Sequence, residues 1–429
     1  MARELHGIER IPENERHGRP SQLFFLWFAA NLGFPAWYIG VLAVALGLSQ
    51  PGAMLAVGLG AVIGSLLVAG AVALGPSRGL GSLPQSARPF GYLGVRVPAL
   101  LTGLSCLGWL AVNSVLGTEA LARLTGWPLV PTLIVLMLAQ AVVAVFGYDM
   151  IHRVERGASV LLLLLFGWMA IRTVGSPVHT AVVSPHLPLA ILTVAIAASY
   201  LFSWGPYAAD YSRYLPSDTS RPATFLWTFL GSLVSTGGVM TLGVLMAVRF
   251  HAQSPMGLLG AATGHLQALA YLAVIVGTLT ANVLNIYTGA TSTLTLGIRL
   301  DRTRAALITG LLGAPLTWIG LHGFSTQYEN FLLLLSYWVA PWLAVLFFDA
   351  IRPQRGDGAW GPGLWAFGVG VAASIPFMSQ SLWTGWVARA WGGADIAYYV
   401  GFTGTLGAMW LLAHARIPGA SERSAHVPG

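Results

Sequence analysis

Two apolar segments of this chain, about 170 residues apart, are each interrupted by residues that a lipid-facing helix does not need. The first reads WFAANLGFPAWYIG, with Asn31, Gly33 and Pro35 inside an otherwise apolar run. The second reads ASYLFSWGPYAADYSRYLP, with Ser203, Gly205 and Pro206 where a continuous helix would prefer Leu or Ala. In hydrocarbon each freed backbone N–H or C=O is costly, so broken backbone persists only where it is buried in protein or lines a cavity. Two breaks in corresponding places point to repeated halves whose unwound backbone holds a solute near the bilayer midplane.

The rest of the chain is membrane-like. Apolar residues make up 55%, charged residues 9%, and mean hydropathy is +0.70, against roughly one-quarter charged residues in a soluble domain. At about 20 residues per crossing, twelve apolar candidates centred near 35, 63, 107, 139, 165, 198, 237, 284, 312, 340, 370 and 404 use almost the whole length. Those near 312 and 370 are short and rich in Gly and Pro. The expected fold is all-α and polytopic, with about 12 transmembrane helices and no separate soluble domain. A cytoplasmic segment 1–21 leads into one transporter domain, 22–414, and a cytoplasmic tail, 415–429. With the breaks in the first and sixth spans, the domain divides into repeat one (about 22–175), repeat two (about 190–351) and two extra helices (about 361–414). Five spans is an odd number, so the second repeat starts from the opposite side and is inverted.

Charge follows topology. There is no Lys, and all 22 basic residues are Arg. With the N-terminus in the cytoplasm, eighteen fall on cytoplasmic segments and only Arg123, Arg172, Arg249 and Arg389 do not. This is the positive-inside rule. It places both termini in the cytoplasm and the chain in the cytoplasmic (inner) membrane, and it removes any need to read the net charge of +7 as a nucleic-acid footprint. Residues 1–20 are polar and mixed in charge, unlike a signal peptide. Cys106 is the only cysteine, so disulfides and thiolate metal sites within the chain are excluded. Among the connections, 76–97 is long and Arg- and Gly-rich, while Asp149 to Arg156 and Arg299 to Arg304 read as compact charged turns. Residues 251–266 are mildly amphipathic and are expected to lie along the outer surface. The tail from Arg416 is polar with Pro and Gly and is expected to lack packed structure.

Catalysis has little to work with. The acidic residues fall in loops or near span ends, with Glu119, Asp149, Glu155, Asp210, Asp301, Glu329 and Asp349 marking boundaries. No zincin motif, Ser-His-Asp arrangement, P-loop or dinucleotide fingerprint appears. What the expected midplane offers is neutral and aromatic. Trp109 and Asn113 share one helix face, Ser203 and Trp204 lie in the second break, and Asn31 lies beside the first. TLTANVLNIYTGATST in the eighth span carries Thr278, Thr280, Asn282, Asn285, Tyr287, Thr288 and Thr291. A flat uncharged heterocycle wants indole faces to stack on, at about 1–3 kcal/mol per ring. It also wants amides that donate and accept together along its edge. A dehydrated cation without a carboxylate needs carbonyl and hydroxyl oxygens, which the first break and the eighth-span threonines supply. Each residue has a plainer role beside this one. Trp is common at membrane interfaces, Ser and Thr in spans usually bond back to their own helix, and a buried Asn such as Asn282 can be interhelical glue.

At these residues the chain resembles the purine–cytosine permease branch of the nucleobase–cation symporter-1 family. GIERIPENERHG followed by LFFLWFAAN resembles the family's amino-terminal signature, and GSLPQSARPFGYLG its second cytoplasmic connection. ADYSRYLP after the sixth span is the most specific match, and LSYWVAPWLAVLFFD fits the later part of the pattern. The resemblance implies a leucine-transporter-like fold of five-plus-five inverted repeats with discontinuous helices 1 and 6 and two added helices. Trp109 and Trp204 resemble the family's two stacking aromatics. Asn113 and Ser203 match polar contacts, Asn282 the amide that holds the ring, and Asn285 a neighbour of less certain register. By the same resemblance the cation site uses carbonyls near Ala30 and Gly33 with the Thr280 hydroxyl. Where relatives place two adjacent hydroxyl residues this chain has Thr280-Ala281, which leaves the coupling ion open between sodium and proton.

The expected function is secondary active import of a neutral nucleobase such as cytosine or a purine, by alternating access and without a cofactor. The functional unit is expected to be one chain in the lipid bilayer, with a coupling cation, sodium being the only metal in view. The nearest alternatives carry another small ring: a thiamine-precursor pyrimidine such as hydroxymethylpyrimidine, allantoin or a hydantoin. An amino-acid transporter of similar fold would favour a Gly-rich first break that binds carboxylate. An intramembrane enzyme would need paired carboxylates, a His cluster or a nucleophile–base pair at depth.

Overall fold

The computed structural model describes residues 9–146, 148–178, 186–250, 254–298, 302–353 and 358–415. Arg3, Arg299, Asp301, Arg355, Arg416 and Arg423, with segments 1–8 and 416–429, lie outside these residues. The first span runs as α1 (Gln22–Ala30) and α2 (Phe34–Ala45), bent by 58° at the break between them. Pro35 gives no N–H, and its ring would collide with the Asn31 carbonyl four residues back, so with Gly33 beside it this sequence disfavours an unbroken helix. Gly33 passes through the break in extended backbone. After α3 (Gln50–Val72), α4 (Arg96–Thr125), α5 (Leu129–Phe146) and α6 (Tyr148–Val174) comes α7 (Leu187–Phe202). The same rule ends α7 at Phe202, four residues before Pro206, and a 3₁₀ turn, Gly205–Asp210, takes over. The first expected break is thus a sharp bend, and the second is a change from α-helix to 3₁₀ turn within one run, Leu187–Asp210.

The chain continues as α8 (Arg221–Ala247), α9 (Pro255–Thr263), α10 (Gln267–Thr295), α11 (Arg302–Leu321), α12 (Phe324–Ile351), α13 (Pro362–Ser374) and α14 (Ala397–Ala415). Among the described residues six helices are long and apolar enough to cross a membrane, seven with the bent α1–α2 pair. Four shorter apolar helices (Leu129–Val143, Ser159–Val174, Leu307–Leu321 and Pro362–Phe377) and α14 make up the remaining spans. A two-residue ladder, β1 (Ser379–Gln380) against β2 (Trp383–Thr384), joins α13 to α14.

Helices in equivalent positions of the two halves lie against each other. The second span, α3, packs on the seventh, α8; the third, α4, on the eighth, α10; the fourth, α5, on the ninth, α11. This is the five-plus-five inverted repeat, with α13 and α14 paired beside α12. Close approach needs small residues, because lipid supplies no hydrophobic drive between helices. A Cβ built on Gly60 would meet the Val194 carbonyl of α7, and one on Gly64 would meet Leu201. Gly40 of α2 and Gly243 of α8 do the same for their pair, facing the Met240 and Trp37 carbonyls.

The connection between α3 and α4 is more ordered than a loop. It folds into three one-turn helices, Gly75–Arg78, Ser82–Gln85 and Ala87–Phe90. Arg88 and Arg78 from this connection hold the Asp349 carboxylate, which is fully buried at the end of α12. Ser82 satisfies the unwound end of the sixth span twice. Its hydroxyl accepts from Ala209 N–H at 2.8 Å, and its own N–H donates to Asp210 Oδ1 at 3.1 Å. Arg16, also buried, donates to the Pro76 carbonyl at 2.8 Å and ties the N-terminal segment to the same end.

Three expectations change. Residues 255–263 do not lie along the outer surface. They form α9, whose Met256, Leu258, Leu259 and Ala262 are buried against α4, α6 and α10. The amphipathic pattern faces protein on the side assigned to lipid. Asp149 to Arg156 are not a turn but the first two turns of α6. Glu119 is not at a boundary either: it lies six residues inside α4, and its Oε2 is buried with no protein partner. Asp395, in the connection before α14, is fully buried, and burial pushes its carboxyl up to about 6 although it accepts from Tyr337 Oη and Ser379 N–H.

Replacing Gly40 by Val should cost more than the about 1–3 kcal/mol of ordinary overpacking, because the obstacle is backbone. The expected readout is a lower unfolding midpoint and loss of the monodisperse species in detergent. Gly58→Ala, where a built Cβ meets nothing within 4 Å, should leave both unchanged.

Candidate functional site

Trp109 and Asn113 stand one turn apart on α4 and are both buried. The indole of Trp109 is enclosed by the edges of three rings: Tyr200 of α7 at 5.7 Å between centroids, and Tyr328 and Phe331 of α12 at 6.2 and 5.3 Å. The interplanar angles of 82°, 72° and 82° are edge-to-face, which suits the ring quadrupole and leaves the stack tight. The indole Nε1 is buried with no protein acceptor.

Beside it three amides meet. Asn113 Nδ2 and Asn285 Nδ2 each donate to Asn282 Oδ1 at 3.2 Å. Asn282 Nδ2 donates to the Leu110 carbonyl at 3.2 Å and to Ser114 Oγ at 3.0 Å. Behind Ser114 lies Gln140 of α5, whose Nε2 and Oε1 are 3.0 and 3.2 Å from the hydroxyl. Thr278 donates to the Asn113 backbone carbonyl at 3.0 Å and locks α4 to α10. Every hydrogen bond in this cluster joins neutral groups. Both readings of Asn282 thus share one place: it binds α4 and α10 together, and it organises the amides beside Trp109.

The second aromatic centre is separate. Trp204, just after α7, donates through Nε1 to Asn31 Oδ1 at 3.1 Å, and Asn31 Nδ2 donates to the Trp27 carbonyl at 2.9 Å. Trp27 and Tyr207 press their edges on the Trp204 ring at 5.7 and 5.5 Å. Trp204 and Asn31 therefore join the two breaks to each other. Trp109 and Trp204 make no ring contact with one another among the described residues; Tyr200, one turn before Trp204, touches Trp109 in its place.

The remaining candidates have partners of their own. Ser203 Oγ donates to the Tyr200 carbonyl at 2.6 Å. Thr280 Oγ1 lies 3.1 Å from both the Val276 and Gly277 carbonyls of its own helix. At the first break the Gly33 carbonyl accepts from Trp37 N–H at 3.2 Å, while among the described residues no donor reaches the Ala30 carbonyl. All three groups named for a cation keep lone pairs: Thr280 Oγ1 only donates, the Gly33 carbonyl accepts one bond, and the Ala30 carbonyl accepts none among the described residues. No cluster of three or more His, Cys, Asp or Glu side chains gathers among the described residues, so a cation here would rely on neutral oxygens.

Sequence reasoning missed the aromatic wall and the support behind the amides. Tyr328 donates to the Pro35 carbonyl at 3.1 Å and stacks on Phe324 at 5.4 Å. Tyr38 of α2 meets Ser325 Oγ at 2.5 Å, so α12 closes over the first break beside Trp109. The Phe324, Tyr328 and Phe331 spacing of four and three residues is a one-face pattern that marks α12 as a site wall. Gln140 had a signal too, as a lone amide in the apolar run LVPTLIVLMLAQAVVAVF.

The profile of the family described as "Permease for cytosine/purines, uracil, thiamine, allantoin" matches residues 10–361. YxlA of Bacillus subtilis (strain 168), assigned by name to the purine-cytosine permeases, is 30% identical over 94% of each chain. The purine-cytosine permease fcyB of Emericella nidulans is 27% identical over 93% of this chain and 86% of its own. Among solved structures, inward-facing Mhp1 superposes with a TM-score of 0.76 at 18% identity, covering 97% of this chain and 96% of that one. A closed form of Mhp1, a nucleobase-cation-symport-1 transporter with bromovinylhydantoin bound, gives 0.71 at 17% identity over 95% and 96%. The fold is theirs, and with the family profile spanning most of its length this chain belongs to the permeases for cytosine/purines, uracil, thiamine and allantoin.

Proposed function

We propose that this permease imports a neutral nucleobase-like heterocycle, coupled to a cation, by alternating access across the cytoplasmic membrane. The observation that carries this reading is the uncharged amide cluster Asn113–Asn282–Asn285 set beside the enclosed indole of Trp109. Stacking fixes the plane of a ring and amides read its edge; a charged solute would need an opposite charge that the cluster lacks. Trp204, Asn31 and Ser203, at the breaks, supply the second wall. The purine-cytosine permeases among the relatives support cytosine or a purine as cargo. A second reading, import of a hydantoin or similar small ring, is favoured by the bromovinylhydantoin bound to Mhp1.

The membrane orientation proposed is both termini in the cytoplasm. It is supported by Arg16, Arg78, Arg88, Arg213 and Arg221, which the fold gathers at the end where the N-terminal segment lies. Cation coupling is supported by the open Ala30 carbonyl at the first break, where a bound cation would draw the unwound backbone toward α10.

Uptake of labelled cytosine, adenine, hypoxanthine, uracil and hydantoin into proteoliposomes tests the substrate. At least one ring should accumulate. Trp109→Ala should raise KM by about 5- to 100-fold, the equivalent of losing one stacking face, and Asn282→Ala should abolish transport. Uptake untouched by both substitutions would overturn the reading. Replacing sodium at constant pH, and separately collapsing the proton gradient, should stop accumulation in one case; persistence under both would exclude cation coupling. For orientation, the single native Cys106 is buried, so introduced cysteines report alone. An impermeant thiol reagent on intact cells should label Trp127→Cys and leave Asp218→Cys unlabelled until the membrane is opened.

A further inference from the structure

The three-amide cluster has a direction, and it can be worked out from one backbone atom. All four hydrogen-bonding positions of the Asn282 amide are used: two donors to Leu110 O and Ser114 Oγ, two acceptances from Asn113 and Asn285. A backbone carbonyl only accepts, so the Asn282 nitrogen must face Leu110 and its oxygen must face the other two amides. Asn113 and Asn285 therefore each spend an N–H on Asn282 and carry their own oxygens elsewhere. Among the described residues no donor reaches Asn113 Oδ1 or Asn285 Oδ1. Asn282 itself has nothing left to offer a ligand in this arrangement. It is the hub, and its two neighbours are the reading edge.

Behind the hub stands a second anchor. The other Asn282 N–H goes to Ser114 Oγ, and Gln140 grips that hydroxyl from α5 with both ends of its amide. Ser114 is 0% and Gln140 2% exposed. An amide and a hydroxyl buried this deeply are costly unless paired, and here each satisfies the other. If Gln140 were lost, Ser114 Oγ would be free to rotate, and only the Leu110 carbonyl would still hold the Asn282 nitrogen. Asn113 and Asn285 would then donate to a less firmly held partner.

We propose that Gln140 is a positioning residue for substrate selectivity: through Ser114 it steadies the Asn282 amide, whose direction the Leu110 carbonyl sets, so that Asn113 Oδ1 and Asn285 Oδ1 stand as two acceptors for a neutral ring edge bearing two N–H donors. The proposal rests on the reading that this cluster holds the transported ring. Gln140 lies on the far side of Ser114 and does not touch the ring; it acts only by holding the hub still. The favoured cargo class is a lactam, imide or amino-substituted ring that presents two N–H donors, and rings whose edge carries acceptors only are disfavoured.

The test uses the full-length protein in proteoliposomes, with labelled cytosine, uracil and hypoxanthine as probes and their ring N-methyl derivatives as competitors. With the unmodified protein, methylating an N–H on the bound edge should weaken competition by about tenfold, the worth of one hydrogen bond in a desolvated site. Gln140→Leu should raise KM about tenfold, leave the maximal rate within about twofold, and shrink the discrimination against the N-methyl competitor to about twofold. Ser114→Ala, a smaller change that removes the same relay, should do likewise and decides the matter if Gln140→Leu does not fold. Unchanged KM and unchanged discrimination in the folded variants would overturn the inference while leaving the transport reading standing. A wild-type protein indifferent to methylation at every ring N–H would overturn it too. Failure of the unmodified protein to take up any of the three probes would remove the transport reading, and this inference with it.

Discussion

An unpaired peptide group in hydrocarbon is the constraint from which the rest of this structure follows. Pro35 and Pro206, each with a Gly close before it, interrupt the α-helix in the middle of an apolar run. Such a break survives only if neighbouring groups take over the freed donors and acceptors. At the sixth span the takeover is visible: Ser82 Oγ accepts from the Ala209 N–H, and in return the span's Ser212 donates to the Val72 carbonyl at the end of α3 at 2.7 Å. At the first it is made by a side chain, Asn31, which reaches back to Trp27 and is itself held by Trp204. The folded connection after α3 and the glycine contacts between α3, α7, α2 and α8 serve that requirement. They bring backbone close enough to backbone that two broken helices can be buried without loss.

The two halves of the candidate site differ in stiffness for the same reason. Asn113, Ser114, Gln140 and Asn282 sit on α4, α5 and α10, none of which is broken where they stand. Their mutual bonds leave the hub no freedom to rotate. Trp204, Asn31 and Ser203 ride on the discontinuous spans, where backbone torsions change at lower cost. A ring lying between them would meet a fixed edge-reading surface on one side and adjustable aromatic walls on the other. That division is useful to a carrier, since recognition needs preorganised groups while access needs elements that move.

Much of this was legible in the chain itself. The breaks were readable because Asn31, Gly33 and Pro35, and Ser203, Gly205 and Pro206, cluster polar and helix-breaking residues within a few positions, whereas the isolated Pro315 and Pro341 sit inside continuous helices. Trp109 and Asn113 were readable because four-residue spacing puts them on one face. The all-helical architecture followed from hydropathy and an odd number of spans per repeat. What could not be read was which polar groups find each other across helices. Thr280 and Ser203 spend their hydroxyl protons on carbonyls of their own segment, the commonest fate of such residues in spans, and keep only their oxygen lone pairs for a ligand. Nothing in the order of residues links Gln140 to Ser114, 26 positions away, or sets Tyr328 and Phe331 against Trp109. The side of α9 that faces protein was likewise invisible, because lipid and protein interior look alike to a hydropathy pattern.

The amide cluster shows why residue identity alone is a poor guide to selectivity in a site of this kind. Asparagine donates and accepts with equal ease, so three asparagines in contact have several self-consistent arrangements. Each arrangement presents a different edge to a ligand. The choice among them is made by a group with no such ambiguity, here the Leu110 carbonyl, and is held by whatever restrains the next partner in line. Selectivity then lies in the difference between a ring that pairs every buried oxygen and one that leaves an oxygen unpaired. In a desolvated site that difference outweighs what an extra methylene or a change of ring size can contribute. Two carriers with the same asparagines but different residues behind them would therefore hold that edge with different firmness, and the helix that never touches the cargo would set how sharply rings are told apart.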